Sequence, residues 1–153
     1  MKKIIINSVA VMLLLMMPQW MYSQQKVFDK VTLPNVDASA TGGIVGVTGD
    51  HEGYIWFIAK NRGLYRYDGS QFVAYVHDSK DSNSITSASL ETMAIDSDDV
   101  IWIATFGSGL DKLDPATNKF THFRHQQADP VSLANDTVAA ILINHDNNVW
   151  LGT

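Results

Sequence analysis

The chain has no cysteine. That excludes a disulfide framework, a thiolate metal site, a cysteine nucleophile and a lipid-anchored N-terminal cysteine. Proline is scarce, with 4 residues against 10 glycines, which leaves most turns to Gly, Asn and Asp. Basic charge is short: 11 Lys and Arg face 16 Asp and Glu, a formal net charge of -5. The chain therefore has no basic footprint for nucleic acid or for an anionic membrane surface. Sustained helical periodicity is missing too, because Gly and Asp/Asn punctuation falls too often for long helices. After the first 25 residues, no apolar run is long enough to cross a bilayer. What remains is 153 residues, 46% hydrophobic and 18% charged, a balance that supports a packed core and carries no disorder signature.

The opening MKKIIINSVAVMLLLMMPQWMYSQQ has its own grammar. Lys2 and Lys3 form a positive n-region, Ile4 to Met17 is almost wholly apolar, and Pro18 breaks the run. Ser23 is a small residue placed for cleavage before Gln24. Residues 1–23 read as a secretory signal peptide. An apolar run of about 14 residues spans about 21 Å as a helix, short of the roughly 30 Å hydrocarbon core, which disfavours a membrane anchor. The mature chain is expected outside the cytoplasm, in the periplasm, with no membrane segment of its own.

The rest of the sequence repeats itself. Trp56, Trp102 and Trp150 lie 46 and 48 positions apart, inside YIWFIAK, VIWIATF and NVWLGT. Gly63-Leu64 matches Gly109-Leu110, Asp68 matches Asp114, Phe72 matches Phe120, and DSNSI (81–85) matches DPVSL (129–133). Asp50, Asp96 and Asn144 each stand six residues before their tryptophan. A period near 47 residues is the mark of stacked structural units.

Each repeat parses into short strands. In the second, SLETMAI, VIWIAT, LDKLD and KFTHF are strands, separated by DSDD, FGSG and PATN turns. The first gives GIVGVTG, YIWFIAK, GLYRYD and QFVAYV. That is a four-stranded antiparallel meander. The tryptophan strands are apolar at consecutive positions rather than alternate ones, so both of their faces should be covered. Four strands per unit of this length, stacked face to face, make the blade of a β-propeller. A β-solenoid is the runner-up; its coils are usually shorter and its strands parallel. The expected fold is all-β: incomplete propeller blades, about two and a third, plus an N-terminal outer strand. The expected divisions are 24–43 for that lone strand and its linker, 44–86 for blade 1, 87–134 for blade 2 and 135–153 for a blade 3 that breaks off after two strands. Trp56, Trp102, Trp150, Gly63, Gly109, Leu64 and Leu110 are the expected structural core of the repeat.

On Asp96, Val100 to Thr105, Gly109-Leu110 and Leu113-Asp114, the chain resembles the two-component regulator propeller repeat; DPVSLAND (129–136) resembles the inter-blade linker of that family. Repeat one departs from the pattern at Ala59-Lys60, and His51-Glu52-Gly53 is expected to lengthen its first turn. The resemblance implies the periplasmic sensor part of a hybrid two-component system histidine kinase, typical of Bacteroidetes, whose ligands are often oligosaccharides. It also implies a longer parent, with further blades, an immunoglobulin-like module, a membrane helix, a kinase, a receiver and a DNA-binding output. KVFDKV (26–31) would be the outer strand that closes the ring onto the last blade. By that reading the chain is an N-terminal fragment without catalytic activity of its own. It is expected to be marginal or aggregation-prone when isolated, since open sheet edges and uncovered faces invite pairing.

Chemical motifs are few. DSDD (96–99) lacks calcium-loop spacing and reads as a solvated turn with Asp96 capping backbone N–H groups. TGDHEGYIW (48–56) is only a faint likeness to a sialidase-type turn. His122 and His125 are three apart on a strand, so they face opposite sides and do not make a metal pair. His51, His77 and His145 stand singly. No phosphate-cradling loop or catalytic triad is legible, so no cofactor and no metal is expected. The turns before Gly63 and Gly109 differ between otherwise similar repeats, and loops on a rigid scaffold are where recognition concentrates. Lys60, Arg62 and Phe106 are therefore the candidate ligand contacts. A structural or interaction propeller of the cell envelope is the alternative function, and a propeller lyase or glycosidase a more distant one.

Overall fold

The computed structural model describes residues 43–153. The signal-peptide segment and the outer strand expected at 26–31 lie outside the described residues. Strands β1 (Ile44–Gly49), β2 (Ile55–Ala59), β3 (Gly63–Tyr67) and β4 (Phe72–Tyr75) form the first sheet. Strands β5 (Leu90–Ile95), β6 (Ile101–Thr105), β7 (Leu110–Asp114) and β8 (Lys119–Phe123) form the second, and β9 (Ala140–Ile143) with β10 (Val149–Gly152) the third. Each sheet is an antiparallel meander in chain order, and the described residues contain no helix. These are β-propeller blades in an open array. Short β-branched and aromatic runs separated by Gly, Asp and Asn turns leave the chain no other regular structure.

Register repeats from blade to blade. Trp56 pairs with Thr48, Trp102 with Ala94 and Trp150 with Leu142. The first strand carries a register shift at the same place in both complete blades, between Ile44 and Gly46 and between Leu90 and Thr92. A bulge there bends the innermost strand and increases its twist. The inner strands lie side by side, β5 flanked by β1 and by β9.

The core lies between the sheets. Trp56, Ile58, Leu64 and Tyr75 of the first sheet meet Leu90, Ile101, Ile103 and Leu113 of the second, with Ile85 of the linker sealed among them. The two faces differ in kind. The first sheet contributes its tryptophan face, whereas the second contributes the face opposite its own tryptophan. That rule accounts for the three tryptophans, all expected in the core. Trp56 is wholly buried, Trp102 is half-buried, and Trp150 is 64% exposed. Trp102 faces a sheet of two strands rather than four, and no described sheet covers Trp150.

Leu64 and Leu110 are buried, and the glycines before them are required by geometry. Gly63 has φ of 132° and Gly109 of 76°. A Cβ at Gly63 would stand 2.4 Å from the Tyr75 carbonyl oxygen, and one at Gly109 2.1 Å from that of Phe123. Both obstacles are backbone of the neighbouring strand, which cannot step aside. Gly109→Ala should lower unfolding free energy by at least about 2 kcal/mol, since a strained φ alone costs roughly 1–3 kcal/mol. Gly107 has φ of 80° but open space around its Cβ position, so Gly107→Ala should cost less. Urea unfolding of the two variants checks this; equal losses would show that φ, not the backbone contact, limits the site.

Candidate functional site

The first turn of each blade is built by one acidic or amide residue. Asp50 Oδ1 accepts the Tyr54 N–H (2.8 Å), and Asp50 Oδ2 accepts the Trp56 indole N–H (2.8 Å). Asp96 does the same with Val100 (3.0 Å) and Trp102 (2.9 Å). Asn144 Oδ1 takes the Asn148 N–H at 2.8 Å. The carboxylate thus caps its turn and anchors the indole six residues later, which explains the fixed spacing. The turn has the same length in every repeat, so His51-Glu52-Gly53 does not lengthen it. Three residues before each tryptophan the backbone is left-handed, at Gly53 (92°), Asp99 (60°) and Asn147 (59°), where Gly, Asp and Asn are the residues that tolerate it.

These turns also join the blades. His51 donates its backbone N–H to Asp99 Oδ1 (2.9 Å), and its Nδ1 lies 2.8 Å from the same oxygen. One blade on, Ser97 donates its N–H to Asn147 Oδ1 at 3.1 Å. The His51 amide is the main reason the Asp99 carboxyl sits below its ordinary 3.8. Asp68 is lowered chiefly by the Gln71 amide, and Asp114 chiefly by the Thr117 hydroxyl. A carboxyl with a lower pKa folded than unfolded stabilises the fold above its unfolded value, and that contribution disappears as pH falls through the folded value. Stability should therefore decline as pH drops below about 3.8, the ordinary value of all three, with no contribution to a slope near neutrality. Urea midpoints measured across pH for the native chain and for Asp68→Asn test this: the variant should show the shallower acid decline.

The linkers repeat as closely as the strands, a regularity the single-residue reading of the histidines missed. His77 Nδ1 lies 2.8 Å from the Ile85 carbonyl, and His125 Nδ1 lies 2.7 Å from that of Leu133. Ser84 Oγ accepts the Asp78 N–H and donates to the Asp81 carbonyl; Ser132 Oγ does the same for Gln126 and Asp129. His77 with His125, and Ser84 with Ser132, share an offset of 48 positions. Laying the linkers over each other would have paired them. Each His closes one inter-blade linker through its Nδ1. The described residues hold no cluster of His and acidic groups that could bind one.

The second sheet holds a carboxylate–histidine contact, with its carboxylate buried, that is absent from the first. Asp111, on β7, is fully buried. Its carboxylate accepts the Thr86 N–H (2.8 Å) and the Thr86 hydroxyl (3.0 Å), and lies 2.8 Å from His122 Nδ1. His122 Nε2 faces the Ser82 carbonyl at 3.0 Å. The network ties the linker to the outer half of the second blade. In the first blade the corresponding register pair is Tyr65 with Ala74, so the contact belongs to this blade and not to the repeat.

The candidate contact residues lie at the opposite end of the strands from the tryptophan-anchoring turns. Lys60 and Arg62 are exposed on the β2–β3 turn, where the Arg62 N–H bonds the Ala59 carbonyl at 2.9 Å. Phe106 is 63% exposed on the matching β6–β7 turn, with its N–H held by the Ser89 carbonyl at 3.0 Å. The backbone of both turns is fixed by these bonds, and Lys60, Arg62 and Phe106 are exposed. Cavities of about 380 and 260 Å³ lie along the two linkers instead, beside His77 and His122 in one case and Arg124 and Leu133 in the other.

No protein-family model matches the chain, and no curated protein matches it. Solved structures do. The extracellular domain of a hybrid two component system from B. thetaiotaomicron superposes with a TM-score of 0.66 at 30% identity, over 73% of this chain and 16% of that one. A second such domain from the same organism gives 0.59 at 21% identity, over 80% of this chain and 16% of that one. Virginiamycin B lyase from Staphylococcus aureus gives 0.61 at 19% identity, over 84% and 39%. The last two likenesses are of fold alone. The chain spans about a sixth of the length of the two-component domains it matches.

Proposed function

We propose, from the premise that this chain is a relative of the extracellular domains of hybrid two-component systems, that it is the N-terminal part of a periplasmic ligand-sensing propeller of a sensor histidine kinase. The observation that carries this reading is the 30% identity to such a domain over 73% of the chain, in blades whose tryptophan, aspartate and glycine positions recur with one geometry. The described residues contain no helix long and apolar enough to cross a membrane, which is consistent with a part lying wholly on the outer side. The chain supplies scaffold and recognition loops, and catalysis belongs to the cytoplasmic kinase of the parent. Ligand binding would select one arrangement of the sensor modules and so shift kinase output. An oligosaccharide is the proposed ligand class, with Lys60, Arg62 and Phe106 as its contacts in these blades. The same blades in a purely structural propeller of the cell envelope would bind nothing at these turns.

The test has two parts. The coding sequence of the parent should carry further repeats, an apolar 20-mer and a kinase; a parent with none of these overturns the sensor reading. The complete extracellular domain should then show a ligand-induced rise in melting temperature with one member of an oligosaccharide panel. Arg62→Ala with Phe106→Ala should reduce that rise. An unchanged response would remove these turns as the contact site.

A further inference from the structure

The cavity of about 380 Å³ along the first linker has a volume usual for a small-molecule site. Its walls are the linker itself, from His77 to Thr86, and the end of β8 at His122 and Arg124. Both walls belong to the two complete sheets and the segment joining them, so the cavity is no part of an end face of the array. It lies at the end of the strands that carries the Lys60 and Phe106 turns, since β4 reaches the linker at Tyr75, the partner of Leu64, and β8 ends at Phe123, the partner of Leu110.

The lining carries two kinds of group. Lys80 and Arg124 are exposed cations, and the ion pairs among the described residues involve neither of them. Arg66 and Lys112, by contrast, lie over tryptophan rings. The Arg124 stem is seated on the β6–β7 turn, for a Cβ at Gly109 would stand 3.1 Å from Arg124 Cδ. The same turn meets the linker where the Ser108 carbonyl accepts the Thr86 hydroxyl at 3.3 Å. The other kind of group accepts. Asp78 and Asp81 each give one carboxylate oxygen to a backbone N–H of the linker, at Lys80 (2.9 Å) and Asn83 (2.8 Å), and keep the second for a ligand. His122 is spent, with a ring nitrogen on Asp111 and the other on the Ser82 carbonyl. Two cations beside two carboxylates suit neither a bare anion nor an uncharged molecule. They suit one that carries a carboxylate and hydroxyls together.

We propose that this cavity is a subsite for an acidic sugar residue, a uronic acid, with its carboxylate on Arg124 and Lys80 and its ring hydroxyls on Asp78 and Asp81. Each contact is a charge-assisted hydrogen bond, and the Arg fork matches a carboxylate. The choice of a sugar rests on the sensing reading above; the charge pattern of the lining supplies the rest.

Titration calorimetry of the chain with trigalacturonic acid, and with the same trisaccharide after reduction of its carboxyls, tests the proposal. The acid should bind and the reduced form should bind at least about tenfold more weakly, the loss expected with a hydrogen bond to a charged group. Arg124→Gln and Lys80→Gln should each cost a similar factor for the acid, with circular dichroism unchanged because both side chains are exposed. Lys119→Gln, an exposed cation at the other end of β8, should bind as the native chain does. Equal affinity for the two trisaccharides overturns the proposal, and so does binding of the acid that neither cavity variant weakens; in both cases a sugar still binds and the sensor reading stands. Displacement of the acid by acetate alone would show a plain anion site and overturn the sugar assignment. A natively folded chain that binds no acid up to about 10 mM, beyond even a millimolar Kd, also overturns it, whereas the sensor reading falls only with a parent that lacks the further repeats, the apolar 20-mer and the kinase.

Discussion

Trp56→Ala should be among the most destabilising single changes in the chain, at about 3–5 kcal/mol. The indole is wholly buried, stacks on Tyr75 with ring centroids 5.7 Å apart and lies 5.7 Å beneath the Arg66 guanidinium. Its N–H is bound by Asp50. Truncation removes an aromatic contact beyond simple area burial, opens a cavity between two sheets that cannot close over it, and leaves one oxygen of Asp50 without its donor. Domains are stable by only about 5–15 kcal/mol, so the change takes about a fifth of that or more. The equivalent changes should form a graded series. Trp102→Ala should cost less, because Trp102 is half-buried although it keeps its Asp96 bond and a 5.9 Å stack on Phe123. Trp150→Ala should cost about 1 kcal/mol or less, as surface substitutions usually do. Urea unfolding of the three variants under conditions that keep the chain monomeric measures the order. Equal losses would mean that the repeat position, and not its place in the array, sets the energy.

Asp111→Ala should be comparably damaging, at several kcal/mol, because a fully buried acceptor is removed and each buried donor left without its partner costs about 1–3 kcal/mol. The loss exceeds one hydrogen bond because the Thr86 amide and His122 Nδ1 both lose their acceptor, and the Thr86 hydroxyl keeps only its longer 3.3 Å bond to the Ser108 carbonyl. The linker of 78–89 would lose its hold on β7. His122→Ala alone should cost less, since the Asp111 carboxylate would keep Thr86. A double-mutant cycle separates the pair from its surroundings: Asp111→Ala with His122→Ala should fall short of the sum of the single losses by more than about 0.5 kcal/mol, whereas independent sites add within that margin. Strict additivity would show that the two side chains do not act together. That the first blade holds Tyr65 and Ala74 at this register means a blade can form without the pair. What the pair holds is the linker, and with it the spacing of the first two sheets.

The strands were legible because each carries a local signal. LDKLD and KFTHF coincide with β7 and β8 as observed, since a β-branched and aromatic run between Asp or Gly turns has few other options. The repeat made the meander legible as well, for Gly63 and Gly109 recur before the third strand and turn out to share a backbone approach that excludes any Cβ. The polar contacts between elements were legible only in part. Lys60, Arg62 and Phe106 lie on exposed turns, as sequence suggests of positions that vary between repeats. The Asp111 and His122 pair was not legible, because the two residues are eleven apart and meet only when β7 and β8 align. His77 and His125 were hidden for another reason: each looks like a stray polar residue until the linkers are laid over one another.

The sequence by itself determined the blade: four short strands, their turns, the glycine that permits the third, and the Asp or Asn that caps the first turn six residues before each tryptophan. Those are effects of neighbours along the chain, and they recur because the sequence recurs. Only the tertiary structure decided what each repeated position is worth. Trp56, Trp102 and Trp150 are equivalent in sequence, yet one is sealed, one is half-open and one faces water. Burial requires a second surface. A sheet gains its covering from the next blade in space, and no residue within a repeat can report whether that blade is there.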